Sequence, residues 1–214
     1  MPFALPRHRP AFPRLRPARQ TGLAALALAM GMTGCVPANG PGMPWQDGAR
    51  PAMRWDHRPE AAEWTQRSLL AVANHDGVLA GRVPADIGAW CPAYAKNGLE
   101  ERRAFWVALL SAVSKHESSW NPAAAGGGGR WIGLMQISPQ TAAHHGCAGA
   151  TSRSLKDGAT NLACAVEIMA EQVGRDGVVA GSGGQGIGRD WMPLRARDKR
   201  AEMAAWTSGQ SYCR

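Results

Sequence analysis

The sequence predicts a mainly α-helical domain, and three observations carry that reading. Trp106, Leu110, Val113 and Glu117 fall at i, i+4, i+7 and i+11, so they share one face of a helix. Leu162, Ala165, Val166, Met169 and Val173 form a second apolar face over Asp157–Val173. Helix punctuation brackets these stretches: Asn121-Pro122 stops the first, and Ser138-Pro139 opens a third that Gly146 closes. At 214 residues the chain has room for one domain plus targeting and linker segments.

The amino-terminal 34 residues read as a signal peptide. Arg7, Arg9, Arg14, Arg16 and Arg19 precede an apolar run from Leu23 to Met30 that is too short to span a membrane. Met32-Thr33-Gly34-Cys35 then resembles a bacterial lipobox. That resemblance implies a lipidated Cys35 and a membrane anchor; Val36 after it favours the outer membrane, facing the periplasm of a Gram-negative envelope. An ordinary cleaved signal with a chance cysteine is the alternative. The formal charge of +8 belongs largely to this leader. Residues 35–214 hold 19 basic and 16 acidic side chains, net +3, which removes the main support for a nucleic-acid partner.

Residues 35–58, with four prolines and three glycines, read as a tether. The domain proper is expected over 59–214. Glu60–His75 has helical composition with Trp64, Leu69, Leu70 and Val72 for burial, and Asp76-Gly77 ends it. Val78–Gly98 is turn-rich. Leu99–Trp120 is the helix that carries Glu117, with Glu100 and Glu101 at its positive end. Ala123–Trp131 holds four consecutive glycines but lacks the Lys-Ser or Lys-Thr of a phosphate cradle. Gly181–Gly186 satisfies G-x-G-x-x-G in spacing alone, without a convincing strand before it or an amphipathic helix after it. Arg195–Arg200 opens the last helix, its charges read first as a solvated face.

Cys91, Cys147, Cys164 and Cys213 in an exported chain imply two disulfides with three possible connectivities. The favoured pairing is Cys147–Cys164 and Cys91–Cys213. Zinc is the weaker reading, since no C-x-x-C pair exists. H-E-x-x-H would need histidine at 120, where Trp stands, so no metal and no cofactor is expected.

Glu117 sits where a helix ends, on a greasy face. Burial and the negative end of the helix dipole both raise a carboxyl pKa, which suits a general acid. The order Glu117-Ser118-Ser119-Trp120-Asn121-Pro122, then Gly133-Leu134-Met135-Gln136-Ile137-Ser138-Pro139-Gln140-Thr141-Ala142, resembles the soluble lytic transglycosylases, lysozyme-like enzymes acting on peptidoglycan glycan strands. Asp157, Asn161 and Leu162 fit another segment of that family. Ala204-Ala205-Trp206-Thr207-Ser208-Gly209 resembles its third motif, with Trp206 and Thr207 in place of the usual Tyr and Asn. The resemblance spans about 99–209. It implies a lysozyme-like helical domain with a glycine-rich loop or small hairpin beside the catalytic helix.

It also implies roles. Glu117 would be the sole acid and base, cleaving the β-1,4 bond between N-acetylmuramic acid and N-acetylglucosamine and leaving 1,6-anhydro ends. Met135 and Gln136 would line the sugar cleft, Ser118 would orient Glu117, and Trp206, Thr207 or Tyr212 would contact glutamate or sugar. Glycosidases usually need two carboxylates, and none occurs between Glu117 and Asp157. A water-using muramidase or chitinase-type hydrolase, or a non-catalytic wall-binding module, are the rival readings. The chain is expected to act as a monomer.

Overall fold

A buried helix runs through the middle of the domain. The computed structural model describes residues 50–147 and 149–214, so the expected signal peptide, Cys35 and the tether up to residue 49 lie outside the described residues. Helix α2, Leu99–Ser118, is buried on every side from Ala104 to Ser114. A helix that is apolar all round belongs in a core, and its two buried serines bond back to the helix: Ser111 Oγ to Ala108 O at 2.7 Å and Ser114 Oγ to Ser111 O at 3.2 Å. Its apolar character is therefore wider than the single stripe that the spacing predicts.

Helix α1, Ala61–Ala73, packs on α2 and on α4, Gly158–Asp176. Close approach of α1 to α4 depends on Gly158, where a Cβ would stand 2.3 Å from Trp64 Nε1. Asp157 caps α4, accepting from Thr160 N at 2.8 Å, as its sequence position predicts. This helix runs to Asp176 rather than Val173, because Gly174 stays helical against Val78 and the stop is Gly177, at φ +68°. The short α3, Pro139–His144, starts on Ser138, whose Oγ accepts from Thr141 N at 3.0 Å. Helix α5, Arg197–Ser208, lies against α2.

The strands Ala125–Gly126 (β1) and Trp131–Ile132 (β2) pair antiparallel and make the glycine run a hairpin beside the end of α2. A mainly helical domain with one small hairpin is the lysozyme-like arrangement that the sequence predicts.

The stretch expected to be the end of the tether is part of the domain instead. Met53 and Trp55 are buried, with Trp55 Nε1 donating to Thr65 Oγ1 at 3.0 Å. Arg54 N donates to Ser111 Oγ at 3.1 Å, and its guanidinium pairs with Glu202 of α5. Apolar side chains in a proline-rich segment are enough to pull it onto a core. Both disulfides form as expected, Cys91–Cys213 and Cys147–Cys164. Within the G-x-G-x-x-G segment the amides of Gly181, Gly183 and Gly186 are taken, by Asp86 at 2.8 Å, Ala180 O at 2.8 Å and Asp176 at 2.7 Å.

Candidate active site

Glu117 lies in the last turn of α2 and opens onto a cleft of about 420 Å³. The cleft is lined by Glu117, Trp131, Gln136 and the segment Arg189–Pro193 with Arg195. Burial pushes the Glu117 carboxyl up to about 7, and the positive charge of Lys199 only partly opposes it. Near neutral pH the group is thus poised between acid and carboxylate.

The backbone beyond Glu117 is unusual. Ser119 and Trp120, neither of them glycine, take left-handed conformations at φ +51° and +58°, ending α2 two residues before the expected Trp120. Such conformations persist only where neighbours hold them. Here Trp120 Nε1 donates to Ser111 O at 2.9 Å, and its ring packs edge-on to His57 at 4.8 Å.

One wall of the cleft is the loop Gly133–Ile137. Its ends close on each other through Ile132 N to Ile137 O at 3.1 Å and Ile137 N to Ile132 O at 3.0 Å. Everything between is held from outside. Ser118 Oγ donates to Leu134 O at 2.9 Å, and Trp191 Nε1 to Met135 O at 2.9 Å. The fully buried Asn161 of α4 accepts from Met135 N at 2.8 Å and donates to Ile132 O and Leu155 O at 2.9 and 3.0 Å. Only glycine fits at 133: its φ is +80°, and a Cβ would stand 2.2 Å from Leu155 O. So held, the loop keeps Gln136 at φ +49° with its side chain at the cleft, Nε2 donating to Gly133 O at 2.9 Å.

The expected site residues therefore separate. Glu117 and Gln136 come together at the cleft. Ser118 works beneath it, bonded to the carbonyls of Ser114 and Leu134 rather than to Glu117. Met135 is fully buried, so its side chain belongs to the core and not to the sugar-facing surface. Trp206, Thr207 and Tyr212 are not among the residues that line the cleft. Thr207 is buried and donates to Trp90 O at 2.8 Å. The Trp206 ring lies under the Arg54 guanidinium at 5.3 Å. Burial raises the Tyr212 hydroxyl above its ordinary pKa.

A second set of residues is absent from the motif-based reading. Trp131, on the hairpin, is 44% exposed, backed by Arg130 at 5.4 Å and lying so close over Gly127 that a Cβ there would touch its ring. Met192 is 69% exposed. Asp190 brings a second carboxylate to the cleft. These three face solvent, and for Asp190 and Met192 the polar-aromatic cluster Arg189-Asp190-Trp191-Met192 in a glycine- and proline-rich stretch is the signal that points to them. Behind Glu117, Glu202 of α5 binds Lys115 Nζ at 2.9 Å, His116 Nε2 at 3.0 Å and Arg54. Burial alone would raise its carboxyl, but these hydrogen bonds outweigh that and hold it at about 2.

The sequence profile of the transglycosylase SLT domain matches residues 95–202, half of the chain. The chain belongs to the transglycosylase SLT domain family. Solved structures of DslA agree with this. A DslA glutamate-to-glutamine mutant superposes with a TM-score of 0.71 at 26% identity, covering 78% of this chain and all of that one. Wild-type DslA gives 0.70 at 27% identity with the same coverage. No curated protein sequence matches. The SLT match contains Glu117, the Gly133–Ile137 loop and Asn161, and stops before Trp206, Thr207 and Tyr212. An SLT domain stapled by two disulfides marks an extracytoplasmic protein of the cell envelope.

Proposed function

We propose that this SLT-domain protein is a peptidoglycan lytic transglycosylase that cleaves the β-1,4 bond between N-acetylmuramic acid and N-acetylglucosamine. The observation that carries the reading is Glu117, a carboxyl raised by burial to about 7, at the floor of a cleft. Protonated, it donates its proton to the bridging oxygen as the bond to C1 breaks. The resulting carboxylate takes the proton of the C6 hydroxyl as that oxygen bonds to C1. The acetamido group of the same sugar stabilises C1 in between, and no water is consumed. Trp131 offers a flat apolar face for a pyranose ring, and Gln136 an amide for hydroxyl or acetamido groups. Glycan strands of the wall are then the partner. Lipidation at Cys35 and an outer-membrane location complete the reading and rest on the sequence alone.

The test is digestion of peptidoglycan by the chain and by its Glu117→Gln variant, with released muropeptides weighed by mass spectrometry. Anhydro-ended products that vanish in the variant support the proposal. A second reading has a specific observation behind it, the Asp190 carboxylate in the same cleft. A hydrolase would use such a group to activate water. Products heavier by one water, lost in Asp190→Asn as well as in Glu117→Gln, would replace the first reading with this one.

A further inference from the structure

The cleft is not chemically even. Besides the larger space at Glu117, a smaller one of about 70 Å³ is lined by Trp131, Gln136, Ile137, Thr141, Ile168, Asp190 and Trp191. Trp131, Gln136, Asp190 and Trp191 border both spaces, whereas Glu117, Arg189 and Arg195 border only the larger. The negative side chain thus stands at the junction and the positive ones on the Glu117 side.

Of those positive groups, Arg189 is already neutralised. Its Nε and Nη2 donate to the two oxygens of Asp176 at 2.6 and 2.9 Å. Arg195 is different. Its Nε donates to Gly188 O at 2.9 Å and its Nη2 to Arg189 O at 2.6 Å, which fixes the guanidinium while leaving its charge unpaired and Nη1 uncommitted among the described residues. Lys115 and Arg54 nearby are both spent on Glu202. A guanidinium held by two carbonyls and left with free donors is preorganised for an anionic oxygen.

Resting on the glycan-cleaving reading above, we propose that Arg195 forms a carboxylate-reading edge of the cleft. Through it the protein favours muramoyl residues, which carry a carboxylate on the lactyl group or on its peptide stem, over neutral chitin-like chains. Both sources offer the same chemistry, and only the position of the anion differs.

The test is binding to the full chain carrying Glu117→Gln, so that no turnover intervenes, measured by calorimetry with three tetrasaccharides of equal length. One alternates N-acetylglucosamine with peptide-bearing N-acetylmuramic acid, one has the same sugars with free lactyl carboxylates, and one is chitotetraose. At least one carboxylate-bearing probe should bind roughly tenfold tighter than chitotetraose, the scale of one charge-assisted contact. The advantage should shrink on adding salt. Arg195→Gln should reduce it while leaving chitotetraose affinity unmoved. Tight binding of the stem-free probe assigns the lactyl group; tight binding of the peptide-bearing probe alone assigns the stem. Equal affinity for all three probes overturns the proposal and leaves the glycan reading standing, as does an equal loss for all three in Arg195→Gln. Failure of every probe to bind overturns both.

Discussion

The two walls of the cleft are built on opposite plans. The Gly133–Ile137 wall turns little side-chain surface to the cleft beyond Gln136, and its backbone is held by Ser118, Asn161 and Trp191 from three separate elements. The Arg189–Arg195 wall presents Asp190, Met192 and Arg195 outward, and its own anchors are charged contacts such as Arg189 to Asp176. Buried polar groups that are fully satisfied fix a backbone and are costly to disturb, whereas exposed groups are free to vary with the ligand. The first wall holds the chemistry in register; the second sets what enters.

The sharpest break comes at Glu117, which belongs to neither wall. Glu117→Gln should lower the rate of glycan cleavage by about 10²–10⁴-fold, the usual contribution of a general acid. In the unmodified protein the rate should fall as pH rises through about 7, because the acid form is then lost. Stability moves in the same direction with pH. A carboxyl raised in the folded state is unpenalised below its unfolded pKa near 4.5, destabilises progressively as pH rises to about 7, and costs a constant amount above that. Glu117→Gln should therefore match the parent at pH 4 and be more stable at pH 8, by about 3 kcal/mol at most. Chemical denaturation at both pH values checks it.

Next in size is the pinned wall. Asn161→Ala removes three hydrogen bonds and leaves Met135 N–H and the Leu155 carbonyl buried without partners, and the Ile132 carbonyl with Ile137 N–H alone. A loss of about 3 kcal/mol is expected, read as a lower denaturation midpoint. Activity per folded molecule should fall too, since Gln136 depends on that loop. On the facing wall, and on the hairpin beside it, the pattern should invert. Trp131→Ala should leave stability within about 0.5 kcal/mol, as exposed substitutions do. It should raise KM for glycan strands roughly tenfold through loss of a stacking face. A stability loss at Trp131 comparable with that at Asn161 would erase the distinction between the walls.

The same contrast decides what could be read from the chain. Helices α2 and α4 were legible because their apolar residues recur with the helical period, and Ser138, Pro139 and Asp157 mark helix starts by local chemistry. Glu117 was legible as the last turn of a greasy helix. Motif membership did not reveal which way a side chain faces: Met135 and Gln136 are adjacent, yet one is core and the other cleft, because Gln136 takes a left-handed backbone. The Gly174–Gly188 stretch reads as loop because carboxylates, one distant and one at its own start, shape it rather than an apolar period. Asp86 gathers the amides of Val179, Ala180 and Gly181, and Asp176 holds Gly186 and Arg189. Such carboxylate-to-amide contacts leave no period in sequence. The early packing of Met53 and Trp55 was hidden by the prolines around them.

The smallest effect is expected where the sequence suggested function and the structure shows support. Thr207 is buried and its hydroxyl donates to Trp90 O, joining α5 to the turn that carries Cys91. Valine has nearly the same shape and lacks the donor, so Thr207→Val leaves the Trp90 carbonyl unpaired in a dry interior. That should lower stability by about 1 kcal/mol, with kcat/KM on peptidoglycan unchanged at temperatures where both proteins are folded. A support role predicts this separation of stability from turnover. A fall in kcat/KM without a stability change would return Thr207 to the sugar-contacting role that its motif suggested, and would extend the functional surface from the two walls onto α5.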